Sequence, residues 1–370
     1  MKFITKLLAL TLMVSTLLCS CGAGNPYFCD PLEAQATGFN LMVTPKPELM
    51  TVLSVLSGEN ADSVNREETI YRNDIFTRFK KFKDHPMVNY YREKELDHDI
   101  MCEFSMMINK NFSLDPKFLH FQDDDRCTEN EKRILSAVSE KCDLEELLEN
   151  LKKFHEDTNM YSFFKRNKNT FKDMLKDISE ELDKYKVSEF TNKYFGENEN
   201  NYRIILQPIR TTPVTSETSV SIMDEEANVH YVSYTNIFTG LYQRKYFSPD
   251  IVKEISADIL NPILENYNDE INKYNSLLKD MPNTPKEAGY DTWPAAFEKQ
   301  LMDGIAARFI LFAWGEEEYN TYGQQNQDWG LIYQKDICDK LAEFEANPEK
   351  YPTLESFIPE IFTCLDKYLD

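Results

Sequence analysis

Only three stretches of this chain have the composition of β-strands, and they lie close together. Tyr202-Arg203-Ile204-Ile205-Leu206, Ser219-Val220-Ser221-Ile222 and Val229-His230-Tyr231-Val232-Ser233-Tyr234 are rich in β-branched and aromatic residues, with turn residues between them. On either side the apolar residues recur at helical spacing. On the N-terminal side they run from Pro47-Glu48-Leu49 through Ile70, Ile75, Phe76, Phe79 and Phe82, and over 99–109, 129–154 and 171–190; on the C-terminal side they cover 248–278, 294–313, 327–344 and 354–369. A chain so arranged folds as an α+β protein with segregated elements, mostly α-helical around one small antiparallel sheet. The polar link Gly196-Glu197-Asn198-Glu199-Asn200-Asn201 separates a helical N-terminal region, 37–196, from a sheet-and-helix region, 197–370.

The helix after the strands opens at Ser248-Pro249-Asp250, with a serine suited to capping and a proline suited to the first turn. Ile251, Ile255, Ile259, Ile263 and Tyr267 recur every four residues along it as a buried stripe. Pro262 is expected to bend or break it, because proline removes a helical donor. Glycine is scarce, 11 residues in 370, which argues against glycine-loop nucleotide folds. With 63 acidic against 41 basic residues and a formal charge of −22, the chain is no partner for nucleic acid.

The first twenty residues differ from the rest. Lys2 and Lys6 precede an uncharged run from Leu7 to Leu18, too short to span the roughly 30 Å core of a bilayer and typical of a signal peptide, 1–20. Leu18-Cys19-Ser20-Cys21 resembles a bacterial lipobox, which implies lipidation of Cys21, a tether over 21–36 and a place in the bacterial cell envelope, periplasmic or surface-facing. The mature chain would carry 39 basic and 63 acidic residues, a net −24. Acyl chains, and no spanning helix, would hold it to the membrane. Six further cysteines, Cys29, Cys102, Cys127, Cys142, Cys338 and Cys364, permit three disulfides or six free thiols.

The five histidines, His85, His98, His120, His155 and His230, include no pair at helical zinc-ligand spacing. His155-Glu156 lacks the second histidine, and reads as a helix end. Asp123-Asp124-Asp125 lacks the glycine and terminal glutamate of a calcium loop, so a solvated acidic loop is expected. No Gly-x-Ser-x-Gly elbow occurs, and Trp293, Trp314 and Trp329 read as core or rim packing.

The order of several segments resembles a family of exported bacterial proteins catalogued as a domain of unknown function. Ile251-Val252-Lys253-Glu254-Ile255-Ser256-Ala257-Asp258-Ile259-Leu260-Asn261-Pro262 stands where that family reads Val-His-Glu-Phe-Asn-His-Ser-Phe-Ile-Asn-Pro. His85-Pro86-Met87-Val88 is similar to its His-Pro-Ala-Val, and Lys350-Tyr351-Pro352-Thr353 with Phe357-Ile358-Pro359-Glu360-Ile361 to its C-terminal signature. The helix with Gln300 to Phe309 is similar to one that opens with glutamate. The resemblance covers about 39–369 and implies a zincin-like, gluzincin-type arrangement. In such a site two histidines and a glutamate hold Zn²⁺ and a second glutamate serves as general base.

Carried over, the ligand positions are Lys253, Ala257 and Lys299, and only the base survives, as Glu254. Zinc, expected for the family type, is therefore expected to be absent here. Lys253 and Lys299 would place fixed positive charge where the dication sat and pair with Glu254 or Asp258. The function implied is a lipid-anchored binding or scaffold protein with a degenerate peptidase-like domain. Its cleft, between the sheet and the helices of Glu254 and Lys299, is suited to a peptide or protein ligand. The alternatives are an active hydrolase or metallopeptidase using other residues, for which His230, Glu254 and another His or Asp would converge at metal-ligand distance, and an accessory subunit of a surface complex.

Overall fold

The computed structural model describes residues 28–58, 70–196, 201–207, 222–224, 229–235 and 247–369. The expected signal peptide and Cys21 lie outside the described residues. A hairpin opens the described chain. Strand β1 (Leu32–Ala36) turns through Thr37-Gly38 into β2 (Phe39–Val43). Gly38 has φ +80°, and a Cβ there would meet the Ser188 Oγ at 2.5 Å, so both conformation and space call for glycine. The Thr37 N–H donates to the Asp183 carboxylate at 2.7 Å, which fastens the turn.

Nine helices then follow before the chain returns to the sheet, among the described residues. They are α1 (Pro45–Ser57), α2 (Ile70–Phe79), α3 (Pro86–Glu93), α4 (His98–Met107), α5 (Glu129–Ser139), α6 (Leu144–Thr158), α7 (Met160–Arg166), α8 (Lys168–Lys184) and α9 (Val187–Phe195). The expected helix over 129–154 is two helices, because Asp143 caps a new N-terminus by accepting from the Glu146 N–H. That over 171–190 also divides, at Lys186 with its left-handed φ of 54°.

The sheet departs from the expectation of a small antiparallel one. It is mixed and five-stranded, in the order β1-β2-β3-β5-β4, with β3 (Asn201–Gln207), β4 (Ile222–Asp224) and β5 (Val229–Thr235). β2 pairs parallel with β3 and β3 parallel with β5, while the outer pairs β1–β2 and β4–β5 are antiparallel. Parallel pairing requires a long crossover, and the nine helices between β2 and β3 supply it. The strands Leu32–Ala36 and Phe39–Val43 occupy what the sequence reading took as tether and helical region. One apolar core includes Leu41 and Leu53 of the first region with Ile204, Ile255 and Phe309 of the second.

After the sheet come α10 (Phe247–Glu265), α11 (Asn268–Asn272), α12 (Asn283–Glu287), α13 (Trp293–Trp314), α14 (Glu316–Trp329), α15 (Gln334–Ala346) and α16 (Ile358–Phe362). Pro262 lies in the last turn of α10, which ends three residues later, so the helix stops well short of residue 278. Ser248 is buried, and its hydroxyl donates to Glu181 of α8, tying α10 to the first region. A four-residue step advances about 400°, so the isoleucine stripe drifts around the helix. Ile251 and Ile255 are buried, Ile259 and Ile263 only partly, and Val252 and Leu260 share the buried face.

α13 is apolar nearly all round and is packed by α10, α14 and α15. At Gly304 a Cβ would stand 3.3 Å from Ile337 Cγ2, so the glycine lets α15 approach closely. No described helix is long and apolar enough to cross a membrane.

Candidate functional site

The packing of α10 against α13 brings Lys253 and Lys299 to one carboxylate. Lys299 Nζ lies 2.8 Å from Asp303 Oδ2, one turn further along α13. Lys253 Nζ reaches across from α10 to within 3.6 Å of Asp303 Oδ1, and sits 2.7 Å from Asp250 Oδ1 on its own helix. The Tyr322 hydroxyl, on α14, donates to Asp303 Oδ1 at 2.7 Å. The Asp303 side chain is only 4 % exposed, against 23 % for Lys253 and 15 % for Lys299. Asp250 and Asp303 were not singled out from the sequence, where Glu254 or Asp258 was the expected partner. Glu254 is half-buried, and the Asp258 side chain lies outside the described residues.

Burial would push the Asp303 carboxyl up. The two lysine charges and the bonds from Lys299 and Tyr322 overcome that and hold it down at about 2. Burial likewise pulls Lys253 down, but Asp250, Tyr322 and Asp303 outweigh it and keep the ammonium well above its ordinary value. The Tyr322 phenol is pushed well above its usual range by burial and by Asp303. Two cations, two anions and a neutral phenol thus form one cluster. The Lys299 ammonium also lies 5.5 Å from the Tyr290 ring centre and 5.8 Å from that of Trp329, and these rings meet edge to face.

These residues do not fit a zinc ion. A protonated amine has no lone pair to donate, and two ammonium groups would repel a dication. Ala257, at the remaining position that the resemblance assigns to a ligand, offers no donor and packs partly buried against the core. Among the described residues no group of three or more His, Cys, Asp or Glu is placed to hold a metal. His230 lies on β5, and its side chain is outside the described residues.

The other sequence candidates fall into structural places. His85 is a helix cap: its Nδ1 accepts from the Met87 N–H at 3.1 Å and its Nε2 lies 3.2 Å from Asp157, with Pro86 at the first helical position. His155 is buried against Phe28 and Phe112, and burial holds it down at about 4. Asp124 accepts twice from the Arg126 guanidinium, at 2.9 and 2.6 Å, and once from the Arg126 backbone N–H, at 2.9 Å, in an acidic loop. Trp293 is buried in the core, while Trp314 and Trp329 are partly buried. All six described cysteines are free thiols, four of them buried.

Asp303 is the residue that sequence reasoning missed. A signal was present: it is the single acid within Leu301-Met302-Asp303-Gly304-Ile305-Ala306, four residues after a lysine. A family model described as a domain of unknown function (DUF4932) matches residues 41–364, and the chain belongs to that family. No curated protein and no solved structure matches it.

Proposed function

We propose that this chain is a lipid-anchored protein of the bacterial cell envelope whose zincin-like domain has lost its metal and acts in binding or scaffolding. One observation carries the reading. Two of the three positions that the resemblance assigns to metal ligands hold lysines, and both ammonium groups converge on the buried Asp303 carboxylate. Fixed cationic charge thereby stands between two helices, where a catalytic zinc would have to be bound. Without a metal no bound water is brought to a pKa of about 7, and Glu254 has no activated nucleophile to serve. What such a site retains is a rigid junction of α10, α13 and α14, suited to holding the surface around it in shape.

The test is restoration. Zinc per chain and peptidase activity are measured for the wild-type protein, purified without chelators, and for a variant carrying Lys253→His, Ala257→His and Lys299→Glu. Gain of zinc in the variant alone is the expected result. One tightly held zinc per wild-type chain would overturn the reading.

A further inference from the structure

The chain is strongly acidic, yet two of its segments carry basic residues and no acid. Arg78-Phe79-Lys80-Lys81-Phe82-Lys83 has four basic residues, and the stretch 158–172 has four more, Lys165, Arg166, Lys168 and Lys172. The fold brings these segments together. Arg166 forks onto Asp74 of α2 with two contacts of 2.8 Å, and the Asn167 amide donates to the same carboxylate. The guanidinium groups of Arg78 and Arg166 both lie over the Phe163 ring, at 5.9 and 5.8 Å from its centre. Phe79 packs on the same ring, and His85 ties the end of the first segment to Asp157 of α6.

The acids beside this edge are largely paired: Asp74 with Arg166, Asp157 with His85, and the exposed Asp84 at 4.0 Å from Lys83, while Asp173 follows Lys172. Lys80, Lys81, Lys83, Lys165 and Lys168 are exposed, and Phe76, on the helix that leads into the first segment, is 38 % exposed.

The point where the chain enters the fold lies beside this edge. The Cys29 thiol donates to the Tyr161 carbonyl of α7 at 3.9 Å, and it is within electrostatic reach of Lys165 and Lys168. Only eight residue steps separate Cys29 from Cys21, at most about 28 Å of extended chain. A lipid on Cys21 would therefore hold this edge, and no distant one, close to the bilayer.

We propose that the edge formed by Arg78–Lys83 and Lys165–Lys172 docks on anionic lipid headgroups and so orients the domain at the membrane. The inference rests on the lipid-anchor reading for its orientation, but the docking itself is a property of the folded surface. Lysines contribute at such a surface through charge and through apolar stems, and neighbouring aromatic rings settle at the headgroup level. Each basic residue near an anionic surface strengthens partition by about fivefold. The acidic remainder of the molecule would be repelled, which favours one orientation over the others.

Two measurements separate the two readings. The mass of the N-terminal peptide of the wild-type protein reports whether Cys21 is acylated, and a bare cysteine there would remove the anchor reading alone. For docking, a non-acylated Cys21→Ser protein is sedimented with vesicles of phosphatidylglycerol and phosphatidylcholine and with phosphatidylcholine alone. Binding to the anionic vesicles only, weakened by raised salt, is expected. Lys80→Glu, Lys81→Glu, Lys165→Glu and Lys168→Glu together should weaken it by roughly 100-fold or more. Lys273→Glu, Lys279→Glu, Lys335→Glu and Lys350→Glu, the same charge change on exposed C-terminal lysines, should leave most of it in place. Circular dichroism checks that both variants fold. No binding, equal binding to neutral vesicles, or equal loss in both variants would overturn the proposal.

Discussion

Glu48 on α1 and Asp303 on α13 are both acids buried to within a few per cent of full enclosure, yet the fold holds them in opposite states of charge. Burial pushes the Glu48 carboxyl up to about 8, and the hydrogen bond from the Tyr71 hydroxyl opposes it only in part. Its Oε1 is buried with no hydrogen-bond partner. Lys46, two residues earlier on the same helix, donates instead to the Met106 carbonyl. At Asp303 two lysines supply what Glu48 lacks, and the carboxyl falls to about 2. Burial alone therefore does not decide the charge of an acid; the cations that neighbouring turns and helices place beside it do. The comparison identifies the α10–α13 junction as an arrangement of matched charges, and α1 as a helix that keeps its acid neutral.

The largest effect should come from unmatching the pair at α13. Lys299→Met leaves the buried Asp303 carboxylate with Lys253 at 3.6 Å as its remaining lysine. A loss of about 3 kcal/mol in urea-unfolding stability at neutral pH is expected. A change below about 0.5 kcal/mol would mean that Asp303 does not depend on Lys299.

Glu48→Gln should act in the other direction. The folded state holds the Glu48 proton more tightly than the unfolded chain does. Its contribution is therefore present below about 4.5 and is lost as pH rises toward 8. Glutamine keeps a neutral group of the same shape, so the variant should lack that slope and be the more stable protein at pH 8. Thermal unfolding of both proteins from pH 5 to 8 checks this, and parallel profiles would refute the neutral state of Glu48.

Much of this contrast was legible in the residues, and some was not. The helical frame followed from apolar spacing, and Lys253 and Lys299 followed from the family-like segments. Asp303 did not, because an acid within a helix ordinarily means a solvated face; its burial depends on α14 bringing Tyr322 over it and on α10 bringing Lys253. The strands Leu32–Ala36 and Phe39–Val43 were missed for a related reason. They are five residues each, with Glu33, Gln35 and Asn40 diluting the β-type pattern. The place of β2 in the sheet comes from pairing with β3, some 160 positions later, and β1 follows as its hairpin partner, which no local window reports. His85-Pro86, which looked like a family signature without a role, proved to be a helix cap.

Two lysines, at positions that the proposed zincin-like reading gives to metal ligands, fix a negative charge on Asp303. The carbon-13 shift of the Asp303 carboxyl, followed over pH with and without added zinc, tests it at the atom concerned. The account predicts an ionised carboxylate from neutral pH down to about pH 3, unmoved by zinc. Titration in the ordinary carboxylate range, or a shift that saturates at one zinc per chain, would contradict it.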